Sequence, residues 1–506
     1  MIISELGRQK VFFIDWVPVY PGSLVPARSL GKFVDGKSVG TVDESWDTGG
    51  FRALGVCQGV RLVTERCRKS EALLKPDKPW ESFRVGQGTV MLDGGRYRLW
   101  YSALGTEFFD VGSDTGSYVC YAESEDGYQW SKPELGVVLL EGSKKNNIVS
   151  GDETGPYPGI GGGSVFTDPT ASAQERYKFI YTAGAYKKGV ESPMRGATSP
   201  DGIHWKLIPE PILEPYHSDT QTTAYWDAHL RQYVGYFRQW WGERRAVSRA
   251  GTEDFRRWPQ PTMVLMLSGS EDHPAHDLYT NAHVLYQTRA SDELPEGYRH
   301  YLSQMDVHFM FPAQYSREKD TLDVHLATSR NGIVWNYFAD EAVIPLGEPG
   351  SGQEGSLYAG CGIVPLGDNE MGIMYAGYPH THNEDTRHRG PLGTLQWAIW
   401  EKDRLVAIEA PGEGAFSTPQ FAVKGRRLLL NARTEVGGEV RVQLRRSGED
   451  GVISGCSFAD CDPIRGDQPA AVVTWRGRAD LPDLTDQRIQ LDFRMRAARL
   501  YCLWAE

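Results

Sequence analysis

The chain has 506 residues, enough for about two to four domains, and its 11% aromatic content with 56 Gly and 29 Pro is typical of many short strands and turns. Its 66 acidic and 54 basic residues give a formal net charge of −12, which argues against nucleic acid and strongly anionic polymers as partners and favours neutral ligands. Since it has no run of 18 apolar residues, no secretory signal and only seven scattered Cys, we expect a cytoplasmic protein with free thiols and no membrane contact.

The first 80 residues are predicted to form an N-terminal segment that packs on the domain after it. They lack the repeated phrase described below, but Val11–Trp16 is rich in apolar and aromatic side chains, which is typical of a strand. We therefore predict a domain boundary near residue 80.

A repeated phrase, Ser-x-Asp/Asn-Gly-x-x-Trp, marks the chain between residues 81 and 408. It occurs at Ser124–Trp130, Ser199–Trp205 and Ser329–Trp335, and a looser copy without the Gly occurs at Thr252–Trp258. Asp or Asn can bond the backbone of its own turn, and Gly tolerates a positive φ. Each copy therefore predicts a tight turn, after which the Trp anchors the next strand.

Each copy follows an aromatic strand, and these strands are Tyr97–Tyr101, Tyr177–Tyr181, Tyr233–Phe237 and His308–Phe311. A recurring unit of about four strands is typical of β-propeller blades, which need neighbours to bury both faces. A fifth blade is predicted after Gly350, although the phrase is absent there. The sequence thus predicts an all-β fold with a five-bladed β-propeller over residues 81–408.

The tail, residues 409–506, has a different character. Apolar and polar side chains alternate in several runs, among them Val440–Leu444 and Arg488–Phe493. Such alternation is typical of antiparallel strands with one buried face. We predict a C-terminal β-sandwich as a second domain.

This arrangement resembles glycoside hydrolase families 32 and 43 and their relatives, including the family 130 mannoside phosphorylases. The turn phrase, the Tyr-rich strands and the tail carry the resemblance, and Gly142–Val149 and Ala498–Tyr501 also look like uncharacterised family-32-like glycosidases of environmental bacteria. The resemblance implies a propeller glycosidase. The family 32 motif Trp-Met-Asn-Asp-Pro-Asn-Gly and the Arg-Asp-Pro and Glu-Cys-Pro signatures are absent, so no catalytic residue is carried over from that family.

In a propeller the first strand of each blade, the inner strand, lines a central funnel. Acidic residues at the start of the predicted inner strands are therefore the candidate catalytic groups, because glycoside hydrolysis usually uses two carboxylates. Asp219 and Gln221 share one face of the third blade's first strand, and a turn cap is the alternative for Asp219. In the fourth blade, Asp277, Tyr279 and Asn281 share a polar and aromatic face that suits a sugar. The alternative for that segment is a solvated loop.

Two further acids are candidates for catalysis. Glu354 stands among Gly and small residues just before an apolar strand of the fifth blade, where it is the predicted proton donor; a solvent-exposed loop position is the alternative. Asp15 lies on an early strand, and the resemblance to family 43 implies that it could reach the funnel as a base. A structural role is the alternative for Asp15.

Histidines supply the remaining candidate ligand contacts. His308 enters the fourth blade and is interpreted either as a funnel residue or as a core His with its hydrogen bonds satisfied. Tyr378, His380 and His382 lie in a loop that we predict to bind substrate. Zinc is the alternative for this loop, but a His-x-His pair needs further ligands, so no metal site is predicted.

Three functions follow from these patterns. The first is an exo-acting hydrolase of neutral oligosaccharides, with Glu354 as acid and Asp219 or Asp277 as base or nucleophile. The second is a glycoside phosphorylase, with Arg387, His388 and Arg389 holding phosphate, and the third is a carbohydrate-binding propeller without chemistry. A carbohydrate is the expected partner and no cofactor is predicted, while a bound divalent cation and the oligomeric state stay open.

Overall fold

The computed structural model describes residues 4–21, 23–26, 33–34, 37–38, 51–54, 57–109, 116–157, 160–183, 193–216, 218, 220–267, 273–287, 306–386, 389–446, 451–484 and 487–506. Within these ranges the regular structure is almost entirely β-strand, with short 3₁₀ helices at Pro79–Glu81, Thr106–Phe109 and Ala173–Glu175. None of the helices in these ranges is long and apolar enough to span a membrane. The prediction of an all-β chain is confirmed.

The chain divides into two compact units. The terminal unit holds the described residues of Met1–Glu65 and Asp403–Glu506, and the central unit holds those of Arg66–Ser291 and Asp306–Lys402. These divisions fall some residues before the positions 80 and 408 that the repeated phrase suggested. Residues near 68 belong with the central unit because they pair with its last strand.

The N-terminal part of the terminal unit supplies seven short strands. In chain order β1 to β7 are Ser4–Leu6, Val11–Phe12, Ser23–Pro26, Phe33–Val34, Lys37–Ser38, Phe51–Leu54 and Arg61–Thr64. Strand β3 pairs with β6 and β4 pairs with β5, each as a separate two-stranded sheet. The other three strands of this group join the long C-terminal strands described below.

The central unit contains strands β8 to β31. In chain order they are Arg68–Lys69, Arg84–Asp93, Arg96–Leu104, Ser117–Ser124, Gly151–Asp152, Gly155–Pro156, Ile160–Thr167, Tyr177–Ala183, Met194–Ser199, Lys206–Leu207, Thr223–Asp227, Gln232–Trp241, Arg244–Thr252, Thr262–Leu265, His276–Leu278, Ala282–Gln287, Val307–Phe311, Ala313–Ser316, Thr321–Val324, Leu326–Ser329, Trp335–Phe338, Ser356–Leu366, Glu370–Tyr378 and Thr394–Glu401.

Most of these strands form five antiparallel arrays, which we number along the chain. Sheet one is β9–β11, sheet two is β14–β17, sheet three is β18–β21, and sheet four is β23, β24, β27 and β28. Sheet five is β29–β31 with β8 on its far edge, where Arg68 and Lys69 pair with Ile399 and Ala398. A parallel pairing of Thr89 with Cys361 joins sheets one and five.

The repeated phrase forms a turn at all three full copies, as predicted. In the second copy the Ser199 hydroxyl accepts a hydrogen bond from the Gly202 amide at 2.9 Å, and Asp201 accepts from the two amides after the Gly at 2.9 and 2.8 Å. Gly202 has a φ of +79°, a region that disfavours side chains with a Cβ. The same bonds recur around Ser124 and Ser329, and a reduced set forms at Asp254.

The Gly carbonyl of each full phrase also accepts a hydrogen bond from a neighbouring sheet. The indole of Trp100 in sheet one donates to Gly202 of sheet two at 2.6 Å, and the Tyr236 hydroxyl of sheet three donates to Gly332 of sheet four at 2.9 Å. The Trp397 indole of sheet five donates to Gly127 of sheet one at 2.7 Å. The phrase therefore fastens one sheet to the next.

The remaining strands complete the terminal unit. They are β32 to β35, at Val406–Val423, Leu428–Arg446, Asp467–Val472 and Arg488–Ala505. They form one sheet in the order β1-β32-β35-β33-β34, with β2 on β35 and β7 on β32. The long strands β32 and β35 change register twice, and Phe416 stacks on Phe493 at 4.8 Å in the core.

Candidate functional site

The central unit encloses a cavity of about 280 Å³. Its wall is formed by Arg84, Gly86, Gln87, Gly88, Thr89, Trp100, Tyr101, Ser102, Tyr118, Val119, Gly163, Val165, Phe179, Thr220, Gln221, Tyr279, Tyr358, Tyr378, His380 and His382. These side chains come from sheets one, two and five and from the segments just before sheets three and four. Two of the predicted strand entrances, at Gln221 and at Tyr279, therefore meet at this cavity.

Two glycines of β9 let the strands around the cavity approach one another. A Cβ on Gly88 would lie 1.8 Å from the carbonyl oxygen of Trp100, and a Cβ on Gly86 would lie 3.1 Å from the Tyr378 hydroxyl. That hydroxyl donates to the Val85 carbonyl at 2.8 Å and so ties sheet five to sheet one. Small residues in β9 are therefore a packing requirement of the cavity wall.

One side of the cavity is an aromatic wall. Tyr279 meets Tyr358 edge to face with ring centroids 6.0 Å apart, and Tyr358 meets Tyr378 in the same way at 5.8 Å. His382 lies 4.5 Å from the Tyr279 ring, and His380 lies 5.2 Å from the Tyr378 ring. Aromatic faces of this kind offer a large contact area to the apolar face of a ligand.

Two arginines and Asp277 support the aromatic wall from behind. The guanidinium groups of Arg238 and Arg245 lie over the Tyr279 ring at 4.3 and 5.0 Å. The fully buried carboxylate of Asp277 pairs with Arg245 at 2.9 Å and with Arg317 at 2.7 Å. Asp277, predicted to be catalytic, thus does not line the cavity but holds a cation that packs under its wall; its catalytic role stays a prediction.

His380 lines the cavity and has a buried acceptor atom without a hydrogen-bond partner among the described residues. Its Nδ1 lies 2.9 Å from the carbonyl of Thr381, which can only accept, so Nδ1 carries a proton. Burial, followed by the positive charge of Arg84, lowers the pKa of His380 and keeps the ring neutral. Its buried Nε2 is therefore an acceptor, and it has no hydrogen-bond partner among the described residues.

His382 is also neutral near pH 7. Burial lowers its pKa to about 4, and the positive charges of Arg245, Arg238 and Arg84 act in the same direction. Its Nδ1 lies 2.9 Å from the Tyr358 hydroxyl. Of the three cation-forming side chains among the described residues of the wall, Arg84 is thus the one that is charged at neutral pH.

Gln221 connects three parts of the wall. Its amide nitrogen donates to the Ala359 carbonyl of sheet five at 2.9 Å, and its amide oxygen accepts from the Asn281 backbone before sheet four at 3.3 Å. Asn281 itself is buried beside the wall and does not line it. Gln221 thus holds the segments together as well as lining the cavity.

None of the described residues on the wall is a carboxylate. Two carboxylates behind the wall each accept a hydrogen bond from a wall tyrosine: Tyr101 donates to Glu81 at 2.6 Å, and Tyr118 donates to Glu107 at 2.8 Å. Glu81 is buried and paired with Lys132 at 2.8 Å. Asp219 lies outside the described residues, although Thr220 and Gln221, directly after it in the chain, both line the cavity.

The other predicted acids lie elsewhere. Glu354 accepts from the Gly350 amide at 3.0 Å; burial opposes ionisation, but hydrogen bonds from the loop backbone lower its pKa overall, opposite to the shift a general acid needs. Asp15 belongs to the terminal unit, where its carboxylate accepts from the Val17 amide at 3.0 Å. The catalytic roles proposed for Glu354 and Asp15 stay predictions.

His308 lies in the core of sheet four rather than on the cavity wall. Its Nδ1 is 3.1 Å from Nε2 of the buried His283, and burial, aided by Arg249, lowers the pKa of His308 to about 3. This is the core position that we gave as its alternative. Among the described residues no cluster of three or more His, Cys, Asp or Glu side chains could hold a metal ion.

Most of the wall residues were not predicted from the sequence, among them Arg84, Tyr101, Tyr118 and Tyr358. Arg84 lies at the start of sheet one. No phrase precedes this sheet in the chain, so its first strand could not be located by counting from one. A usable signal was nevertheless present, because Arg84, Gln87 and Thr89 stand among glycines in an otherwise apolar strand. Polar residues beside glycines thus mark the strand of sheet one that lines the cavity.

No protein-family model and no curated protein sequence matches the chain. Solved structures similar to it include an N-acetylgalactosamine deacetylase from F. plautii in complex with blood group B trisaccharide, at 14% identity over 69% of this chain and 97% of that one, with a TM-score of 0.43. A glycosyl hydrolase from Bacteroides ovatus matches at 14% identity over 68% and 95%, with a TM-score of 0.45.

A third similar structure is described as a member of family 130 of mannoside phosphorylases, which contains glycoside hydrolases that target β-1,2-mannosidic linkages in Candida mannan. It matches at 14% identity over 68% of this chain and 95% of that one, with a TM-score of 0.42. These neighbours are carbohydrate-active proteins. At such TM-scores the likeness assigns no function to this chain.

Proposed function

We propose that this chain is a glycoside-processing enzyme that binds the end of a neutral saccharide in the central cavity. The unpaired Nε2 of His380, buried among tyrosine rings, carries the proposal. A buried acceptor without a partner is costly unless a ligand supplies a donor, and sugar hydroxyls are such donors. The rings of Tyr279, Tyr358 and Tyr378 offer the apolar faces on which sugar rings pack.

The fold that we infer for the central unit is a five-bladed β-propeller. Hydrogen bonds connect sheet five to one, one to two, and three to four, and the Tyr233 hydroxyl of sheet three donates to Asp168 of sheet two. Phe311 of sheet four lies 5.8 Å from Trp400 of sheet five. Such a cyclic series of contacts favours a ring whose inner strands surround the cavity.

For the terminal unit we infer a β-sandwich that forms because its one large sheet bends over on itself. Its longest strands change register twice, and irregularities of this kind bend a sheet. A bent seven-stranded sheet can fold over its own apolar face, on which Phe13, Phe416 and Phe493 lie. The sandwich predicted from residues 409–506 then includes N-terminal strands as well.

Hydrolysis is the chemistry that we propose first. It needs a carboxyl group that gives a proton to the leaving oxygen and a second carboxylate that activates water or attacks the sugar. Asp219 is proposed as the second group because its two following residues line the cavity. The cavity volume of about 280 Å³ is at the lower end for ligand pockets, roughly 300–1,000 Å³, which favours exo action on a chain end.

The proton donor is proposed to be either Glu354, as predicted, or Glu107. Glu107 is half-buried and lies one hydrogen bond from the cavity wall through Tyr118. Amide variants separate these assignments: Asp219→Asn and the variant of the true donor should each lower turnover of aryl glycosides by about 10²-fold or more. Retained activity of Asp219→Asn would refute its role.

Saccharide binding itself is tested with His380→Phe, which keeps the ring contact with Tyr378 but removes the acceptor. Loss of one hydrogen bond should weaken saccharide binding about tenfold in isothermal titration. His204→Phe, an exposed His in a turn phrase, is the matched control and should bind normally. Unchanged affinity of His380→Phe would argue against the cavity as the saccharide site.

Phosphorolysis is the second candidate, and the cationic character of the described wall favours it. Arg84 lies on the described wall, and a planar guanidinium can bind two phosphate oxygens at once. Arg389 pairs with Glu384, and Arg387 and His388 lie outside the described residues. A screen of nitrophenyl glycosides, furanosides included, with and without phosphate distinguishes the two reactions, since a phosphorylase requires phosphate for turnover.

A further inference from the structure

The terminal unit carries a second cleft, of about 700 Å³, on the face of its long sheet. Three adjacent strands, β32, β35 and β33, form its floor. Its charged side chains are Glu413, Glu439, Arg441, Arg494 and Arg496. Met495, between two of these arginines, is buried, so the arginines project from the opposite face of β35.

The register of the three strands arranges these charges in two rows. In the first row Arg496 stands between Glu413 and Glu439, so each neighbouring pair has opposite charges. In the second row Arg494 stands between Ala415 and Arg441. The second row thus sets two positive charges, Arg494 and Arg441, directly opposite each other, which is destabilising in a sheet. It has no acidic residue, whereas the first row has two.

The acids near the cleft do not supply an anion to Arg494. Glu439 accepts from Arg441 at 3.0 Å and from Arg465 at 2.7 Å, and these hydrogen bonds, of which that from Arg465 is the stronger, lower the pKa of Glu439. Arg441 also donates to the Cys461 carbonyl at 2.7 Å. Among the described residues Arg494 has no ion-pair partner.

Arg494 is nevertheless held in place. Its guanidinium lies 4.3 Å from the centroid of the Phe458 ring, which also lines the cleft. Stacking on an aromatic face leaves the N–H edge of a guanidinium available for two parallel hydrogen bonds to a carboxylate. The side chain is therefore oriented for an anion before any ligand arrives.

We infer that this cleft is an accessory binding site for the carboxylate of an acidic saccharide, with Arg494 as its anchor. The carboxylate accepts from the free edge of Arg494 and fills the missing anionic position beside Arg441. The choice of a saccharide as the carrier rests on the proposed function, whereas the anion site rests on the cleft alone. A local basic cleft of this kind is needed for an acidic ligand, because the whole chain carries a charge of −12.

The test is isothermal titration of the full chain with trigalacturonate and with its methyl ester at low salt. The ester has the same sugar rings without the negative charges. The wild-type protein should bind the acid at least tenfold more tightly than the ester, and Arg494→Ala should remove that difference. Arg494→Lys keeps the charge but loses the planar edge, so its affinity for trigalacturonate should lie between those of the wild type and of Arg494→Ala.

Arg488→Ala is the matched control. Arg488 is exposed on the same face of the same strand, six residues from Arg494 and about 20 Å away along an extended strand. Its removal changes the net charge equally but should leave trigalacturonate binding unchanged. The melting temperature of each variant confirms that it is folded.

Three results would overturn the inference: no binding of trigalacturonate to the wild type, equal binding by wild type and Arg494→Ala, or equal losses in Arg494→Ala and Arg488→Ala. Failure of the proposed function has a different signature. In that case neutral saccharides neither bind to nor are turned over by the wild-type protein. Arg494→Ala should retain both properties wherever the wild type has them.

Discussion

The turn phrases and the central cavity lie in the same unit, but the interactions that form them span very different lengths of chain. In each phrase the bonds that shape the turn connect residues two or three positions apart, as between Ser199 and Gly202. In the cavity, Gln221 reaches Ala359, 138 positions away, and Tyr378 reaches Val85, 293 positions away. Local interactions can be inferred from a short stretch of sequence, whereas the cavity depends on segments that lie far apart in the chain.

An aspartate carboxylate therefore contributes differently to stability in the two regions. Asp201 in a phrase is partly exposed and serves mainly as an acceptor for nearby amides. Asp277 behind the cavity is fully buried and neutralises two arginines from distant strands. One substitution, Asp to Asn, can be applied to both and tests this difference directly.

The largest effect is expected for Asp277→Asn. Removing one partner of a buried ion pair leaves an uncompensated buried charge, which costs about 3–5 kcal/mol of unfolding free energy. Since Arg245 packs under Tyr279, saccharide affinity in the cavity should fall as well. Urea denaturation and isothermal titration measure the two effects.

Asp201→Asn is the control for that experiment. The third copy of the phrase already has Asn331, whose side-chain oxygen accepts from the Ile333 and Val334 amides at 2.9 Å each. The substitution should therefore cost less than about 1 kcal/mol. Equal costs at Asp201 and Asp277 would contradict the distinction between the two regions.

The second prediction concerns Gly202, where a phrase meets a neighbouring sheet. A Cβ at this position would lie 2.6 Å from Cζ2 of the buried Trp100, in addition to the strain of its positive φ. Gly202→Ala should cost about 2–4 kcal/mol, from backbone strain and overpacking together.

The substitution Gly142→Ala separates the cost of backbone strain from the cost of overpacking. The φ of Gly142 is also +79°, but a Cβ there would have no atom within 4 Å. Gly142→Ala should therefore cost only the strain, about 1 kcal/mol. If both variants lose the same stability, the close approach of Gly202 to the Trp100 ring adds no cost to the substitution.

These contrasts show how far the sequence could predict the structure. The all-β class and the phrase turns were predictable because period-two patterns and turn residues act locally. Gln221 and Tyr279 were predicted as ligand contacts because they stand at the starts of strands, and Tyr378, His380 and His382 because they share a His-rich loop; all five line the cavity. That they bind a ligand stays a prediction.

What the sequence could not predict depends on contacts between distant segments. Strand β8 has two residues, too few for a pattern, yet it completes the edge of sheet five. The role of Asp277 depends on Arg245, 32 positions earlier in the chain, and on Arg317, 40 positions later. Acidic residues at strand entrances look alike in sequence whether they face a cavity or support its wall.

The third prediction uses the lowered pKa of His382 as a probe of the cavity. Its pKa is about 4 in the folded chain and about 6.5 when unfolded, so the unfolded state binds more protons between these values. Its contribution to stability is therefore lost as pH falls from about 6.5 towards 4. Between pH 7 and 5.5 the loss should be about 1 kcal/mol.

His382→Gln should remove that part of the pH dependence. The buried His283, His308 and His380 also have lowered pKa values and contribute to the wild-type slope, so the difference between wild type and variant is the informative quantity. A His382→Gln profile parallel to that of the wild type would mean that the cavity does not desolvate this ring.

The smallest effect is expected where the phrase itself varies. The two positions after the Gly are Tyr128 and Gln129 in the first copy but Ile333 and Val334 in the third, where their side chains are 50% and 72% exposed. The turn uses only their backbone amides, so replacing Ile333-Val334 by Tyr-Gln should change stability by less than about 0.5 kcal/mol and saccharide affinity not at all. A change in saccharide affinity would mean that the outer turns communicate with the cavity. Without it, the phrase determines how the sheets are joined, and saccharide binding depends on residues outside the phrases.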